Sequence, residues 1–81
     1  MAFELYSEVI LTVDLPEEGL KAGDVGTVVD HHVAPGIEEG YSVEFFDMTG
    51  STVAVVTVQA SVLRTPTHAD RPAARTMAVG A

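Results

Sequence analysis

The chain has 81 residues, no cysteine and a formal charge of −8. That length holds one domain with a thin stability margin, and without cysteine neither a disulfide nor a thiolate zinc site can staple it. No apolar run reaches the roughly 18 residues of a membrane span, so no membrane partner is expected; Met1–Leu11 carries Glu4 and Glu8 and no base, unlike a signal peptide, so the expected location is cytoplasmic.

Hydrophobic residues form 47% of the chain and aromatics 6%, with no Trp, so the core is built mainly from Val, Leu and Ile. The charge is divided along the chain. Residues 1–63 hold eleven acids against the single base Lys21, whereas 64–81 hold Arg64, Arg71 and Arg75 against Asp70. An acidic body repels phosphate backbones, which argues against nucleic-acid binding and favours solubility or a basic partner. That partner includes the C-terminal segment of a neighbouring copy.

Ser7–Val13 reads as the first strand, with Val9, Leu11 and Val13 on one face and Ile10 and Thr12 on the other. Pro16 and Gly19 break it, and Leu15–Asp24 forms a long loop with Leu15 and Leu20 turned inward. Two glycines, Gly23 and Gly26, then flank a short acidic turn that leads into a β-branched run. Val25–Val33 is the second strand, with Val25, Thr27 and Val29 opposite Val28. After a Pro35-Gly36 loop, Tyr41–Asp47 alternates as a half-buried third strand. Asp47-Met48-Thr49-Gly50 has the residues of a type I turn with a glycine bulge. Thr52–Val58 is a fourth strand, apolar on both faces. Gln59-Ala60-Ser61 reads as one helical turn before a short strand at Val62–Arg64. Beyond Pro66 the composition changes to Ala, Arg and Pro. That tail, residues 66–81, is expected to be flexible or to form a short helix capped by Asp70 with Pro72 in its first turn.

Five short strands with a long first loop, two hairpins and a 3₁₀ turn before the last strand predict an all-β, five-stranded SH3-like barrel over 1–65. The segments Leu5–Val9, Asp14–Leu20, Gly23–Val29, Tyr41–Phe45 and Ala60–Leu63 resemble, in order and spacing, a family of small bacterial domains of unknown function. That family is similar to KOW and SH3-like barrels. The resemblance covers about residues 3–64 and implies the barrel fold, with no catalytic residues. It also implies, through toxin-like gene neighbours, an antitoxin or immunity role against a basic partner. KOW loops carry bases that touch RNA. Here Lys21 stands among Glu17, Glu18, Asp24 and Asp30, a departure that speaks against RNA.

The chemistry-bearing clusters are few. Asp30 and His32 share a strand face, with His31 opposite, and His68 in the tail is a candidate third metal ligand. The serines and threonines have no evident base partner, and Glu17-Glu18 and Glu38-Glu39 sit on loops as solvated charge, so no enzyme and no cofactor are expected. A peptide groove beside the first loop is drawn from Tyr6 and Tyr41 as exposed aromatics with Asp14, Glu17 and Glu18 as acids. On the fourth strand, Val53, Val55 and Thr57 are assigned to the core, while Ala54, Val56 and Val58 face a second copy or the tail. The expected function is therefore a non-enzymatic module that binds a protein partner or itself as a homo-oligomer. The alternatives are an immunity-type protein and an accessory subunit of a metalloenzyme.

Overall fold

Alternating β-branched and aromatic residues build the strands, which a computed structural model describes within residues 2–76. Among these residues the strands are β1 (Glu8–Leu11), β2 (Val25–His32), β3 (Gly40–Phe46), β4 (Thr52–Gln59) and β5 (Leu63–Arg64). Single turns of 3₁₀ helix lie at Pro16–Glu18 and Ala60–Val62. All paired strands are antiparallel, in the order β4-β3-β2-β1-β5. The sheet curls into a half-barrel, in keeping with a small SH3-like barrel. Its core joins Val9, Leu11, Leu20, Val28, Tyr41, Val43, Phe45, Val56 and Leu63.

β1 is shorter than its sequence run because the chain leaves the sheet at Leu11. There the Leu11 N–H donates to the Asp24 carbonyl and the Gly23 N–H donates to the Leu11 carbonyl. Val13, which the alternation groups with Val9 and Leu11, is exposed, while Ile10 on the opposite face is buried. Ile10 lies outside the main core cluster, beneath the C-terminal segment. Leu15 and Leu20 turn inward as expected, Leu20 buried and Leu15 packed partly buried against the core, and the two exchange backbone hydrogen bonds of 2.9 and 3.1 Å.

In β2 the pairing runs from Val28↔Val43 directly to Asp30↔Ser42, which leaves Val29 as a bulge. The bulge resets the alternation. Val28 faces the core, and after it His31, paired with Tyr41, takes the inward side. The Asp47–Gly50 connection has the expected form. Gly50 has φ 89°, its N–H donates to the Asp47 carbonyl at 3.0 Å, and the β3–β4 register shifts beside it.

The face assignment of β4 is reversed from the sequence expectation. Ala54, Val56 and Val58 pair with Phe45, Val43 and Tyr41, so they share that strand's buried side. Val56 belongs to the core, and Ala54 and Val58 pack against it. Val53, Val55 and Thr57 point outward. Both faces of this strand are apolar, so its own residues could not select the register; a one-residue slip exchanges the faces, and the β3 row decides between them. The C-terminal segment is likewise not helical over Asp70–Thr76. The tail residues 77–81 lie outside the described residues.

Gly26 sits where β2 crosses the β3 side chains. A Cβ there would stand 2.5 Å from Val43 Cγ1 and 2.9 Å from the Phe45 ring. Gly26→Ala is therefore expected to destabilise the domain by about 1–3 kcal/mol through overpacking. Thermal unfolding should register this as a midpoint lowered by roughly 4 °C or more.

Candidate binding groove

A concavity of about 900 Å³ lies between the C-terminal segment and the ends of β1, β2 and the β3–β4 hairpin. Val25, Phe46, Met48 and Val53 give it apolar walls, and all four remain exposed. Glu8, Asp24 and Asp47 bring carboxylates to it. Hairpin geometry places Phe46 and Met48 here: Asp47 Oδ1 accepts from the Thr49 and Ser51 N–H groups at 2.8 and 3.0 Å. The Thr49 hydroxyl, which donates to the same oxygen at 2.6 Å, and then these bonds hold the Asp47 carboxyl below its usual range, so it stays charged at neutral pH.

Residues 66–76 form a strap along one side of this groove, fastened by two arginine–carboxylate pairs. Arg64 donates through both terminal nitrogens to Asp70, at 3.0 and 2.7 Å. Asp70 also accepts the Thr67 N–H at 2.7 Å, which closes the Thr67–Asp70 turn. Its carboxyl is held well below the ordinary value, first by Arg64 and then by the Thr67 N–H. The capping carboxylate expected of Asp70 at a helix start is thus spent on a turn.

The second fastening spans the chain. Arg75 Nε donates to Asp24 Oδ1 at 3.0 Å, its terminal nitrogen donates to Oδ2, and the same nitrogen reaches the Gly19 carbonyl at 3.1 Å. Asp24 Oδ2 also accepts the Lys21 N–H at 2.9 Å. Partial burial pushes the Asp24 carboxyl up, but Arg75 and the Lys21 N–H outweigh it and leave it below 3.8. Gly19, at φ 72°, and Gly23, at φ 98°, turn the loop so that a carbonyl and a carboxylate converge on one guanidinium.

The residues singled out from sequence do not converge. Tyr41 is fully buried, because it is the first inward residue of β3 and its hydroxyl accepts the Ala2 and Phe3 N–H groups at 2.9 and 3.1 Å. Val56 and Val58 face the core for the register reason given above. Tyr6 is 74% exposed, but its N–H donates to the Val28 carbonyl, at the far end of β1 and β2 from the acidic loop. Asp14 Oδ1 accepts the Ala22 N–H at 2.9 Å and so braces the loop. Glu17 and Glu18 are exposed on the 3₁₀ turn. Asp30 and His32 do share a face, with 3.9 Å between Oδ2 and Nε2. His68 does not join them, and among the described residues no cluster of three such ligands forms.

His31 instead enters a polar cluster that fastens the N-terminal segment. Its ring stacks on Tyr41 with centroids 4.8 Å apart, and Nε2 lies 2.6 Å from Glu39 Oε2. Phe3 meets the same tyrosine edge-on at 5.2 Å. The His31 contact and the Tyr41 hydroxyl outweigh partial desolvation and hold the Glu39 carboxyl below 4.5. This constellation ties Ala2–Phe3 to the β2–β3 hairpin.

Sequence reasoning missed Asp24, Arg75, Phe46 and Met48 as parts of one site. The acidic body and basic tail were the available signal, and Asp24–Arg75 is where they meet.

Comparison with known proteins gives one match: the family described as a domain of unknown function (DUF4926) covers residues 5–65. No curated protein and no solved structure matches the chain.

The strap should detach in acid. Asp24 and Asp70 both titrate below 3.8, so attachment is complete above that value and is lost as the pH falls through the lowered ones. Amide exchange of residues 66–76 is expected to quicken below about pH 4 while the core amides stay protected. Asp24→Asn should produce the same release at pH 7, limited to the Arg75 end.

Proposed function

The chain belongs to the DUF4926 family, and from the groove carried by its family region we propose that it is a non-enzymatic interaction module for an extended, arginine-bearing segment of a protein partner. The supporting observation is the fork of Arg75 onto Asp24 and the Gly19 carbonyl, with Pro72-Ala73-Ala74 beside it along the groove. The family match ends at residue 65, so the acceptors lie within the domain and the arginine comes from outside it. In effect the strap occupies a site for peptides of its own kind.

The chemistry suits recognition. A guanidinium gains a two-pronged carboxylate contact and a carbonyl, which a lysine cannot reproduce. Val25, Phe46 and Met48 offer apolar surface to the residues that flank the arginine. Extended peptides without internal hydrogen bonds lose little on docking in such a groove. The walls bring carboxylates and apolar groups together. An immunity-type role against a basic partner draws on the same acidic rim. A metalloenzyme-accessory role has less support, since Asp30 and His32 stand as a pair.

A labelled peptide of the sequence 69–76 tests the reading by competition with the strap. It should bind the full-length Arg75→Ala chain, whose site is freed, more tightly than the parent chain. The response should centre on Gly19, Asp24 and Phe46 by NMR shift mapping and weaken with added salt. Asp24→Asn should abolish it, and an Arg→Lys peptide should bind at least about tenfold more weakly. A peptide that binds all three chains equally would refute the proposal.

A further inference from the structure

The sheet has two edges of opposite character. At one edge β5 has only two residues, and Pro66 and the Arg64–Asp70 turn follow it at once. At the other, β4 runs for eight residues without a charge, a proline or a glycine. Among the described residues, the outer side of β4 faces no other strand. Alternate backbone groups of such a strand point away from the sheet and are ready to pair. Soluble proteins ordinarily blunt a long edge with lysine, proline, a bulge or an added cover; β4 has a bulge at Val53, and among the described residues the stretch Ala54–Gln59 has none of these.

We propose that the outer edge of β4 pairs antiparallel with β4 of a second copy of this chain, forming a closed two-fold dimer with one continuous sheet. Three observations select the second copy. The strand is self-complementary: antiparallel pairing that preserves both sheet faces sets Val55 opposite an outward residue, Val53, Val55 or Thr57, of the other copy. The body is strongly acidic, yet the contact line carries no charge, so two copies meet where repulsion is least. The nearest carboxylate on the outward face, Glu44, pairs with Val55 from the next strand in. Its carboxylate accepts from the Thr52 hydroxyl at the start of β4, so with the two-fold axis near Val55 the two carboxylates stand roughly 14 Å or more apart along the strands, beyond the screening length of about 8 Å at physiological salt. The blocked β5 edge, in turn, excludes head-to-tail joining of β4 to β5, so the assembly closes at two copies rather than growing into a ring or fibre. The pairing is independent of the groove, and Val55 is not among the residues that line it.

Light scattering on the full chain, from about 1 µM to 1 mM, measures the assembly directly. The expected result is a shift from monomer to dimer mass and no larger species. Outer amides of β4 should become protected from exchange in step with the dimer. Val55→Lys sets like charges across the two-fold axis and should raise the dissociation constant at least about tenfold, with the thermal midpoint of the monomer unchanged. Thr57→Lys serves as the second edge variant should Val55→Lys unfold the chain. Val13→Lys, exposed but off the edge, should leave the mass as in the parent. A monomer throughout the range, or a dimer that both edge variants leave intact, overturns the proposal.

Discussion

Tyr41, Val43 and Phe45 occupy successive inward positions of β3, and both neighbouring strands are placed by what packs against that row. On one side it draws Ala54, Val56 and Val58 of β4 inward and leaves Val53, Val55 and Thr57 to the outside. On the other it meets Gly26, whose missing side chain leaves room for Val43 and Phe45, and Val28. The Val29 bulge then brings His31 over Tyr41. A domain this small has one core layer to spend on specificity, so a single strand's alternation carries most of the register information.

The Tyr41 hydroxyl extends this control to the surface. A buried phenol needs a partner, and here the N–H groups of Ala2 and Phe3 donate to it. Phe3, His31 and Glu39 gather around the same ring. A histidine, a carboxylate and a tyrosine in contact have the look of a reactive centre. Their arrangement is accounted for by the N-terminal segment they hold down, and the groove lies elsewhere.

Charge supplies the second organising effect. The acidic body and the arginine-rich end meet at Asp24–Arg75 and Arg64–Asp70. Both pairs are partly exposed, so each is readily exchanged for an equivalent contact from outside. The strap also covers Ile10, an apolar residue on the outer face of β1. Its hold is thus part electrostatic and part apolar, a combination that favours reversible attachment over a permanent core contact.

The succession of five strands, the inward turn of Leu15 and Leu20, the Asp47–Gly50 turn and the inward face of β3 were legible in the residues, because each rests on local alternation or on the backbone preferences of glycine and proline. The shared face of Asp30 and His32 was legible too, as a two-residue spacing on one strand. The faces of β4 were not, since Thr52–Gln59 is apolar on both sides and contains no local signal for either choice. Nor was the path of the strap, whose fastening joins residues 51 positions apart. By itself the sequence determined a small acidic β-domain with its turns and one unambiguous inward row. Only the tertiary structure decided which valines are buried, which tyrosine is exposed and where the basic end lies, because those outcomes depend on pairing across strands and on charges brought together by the fold.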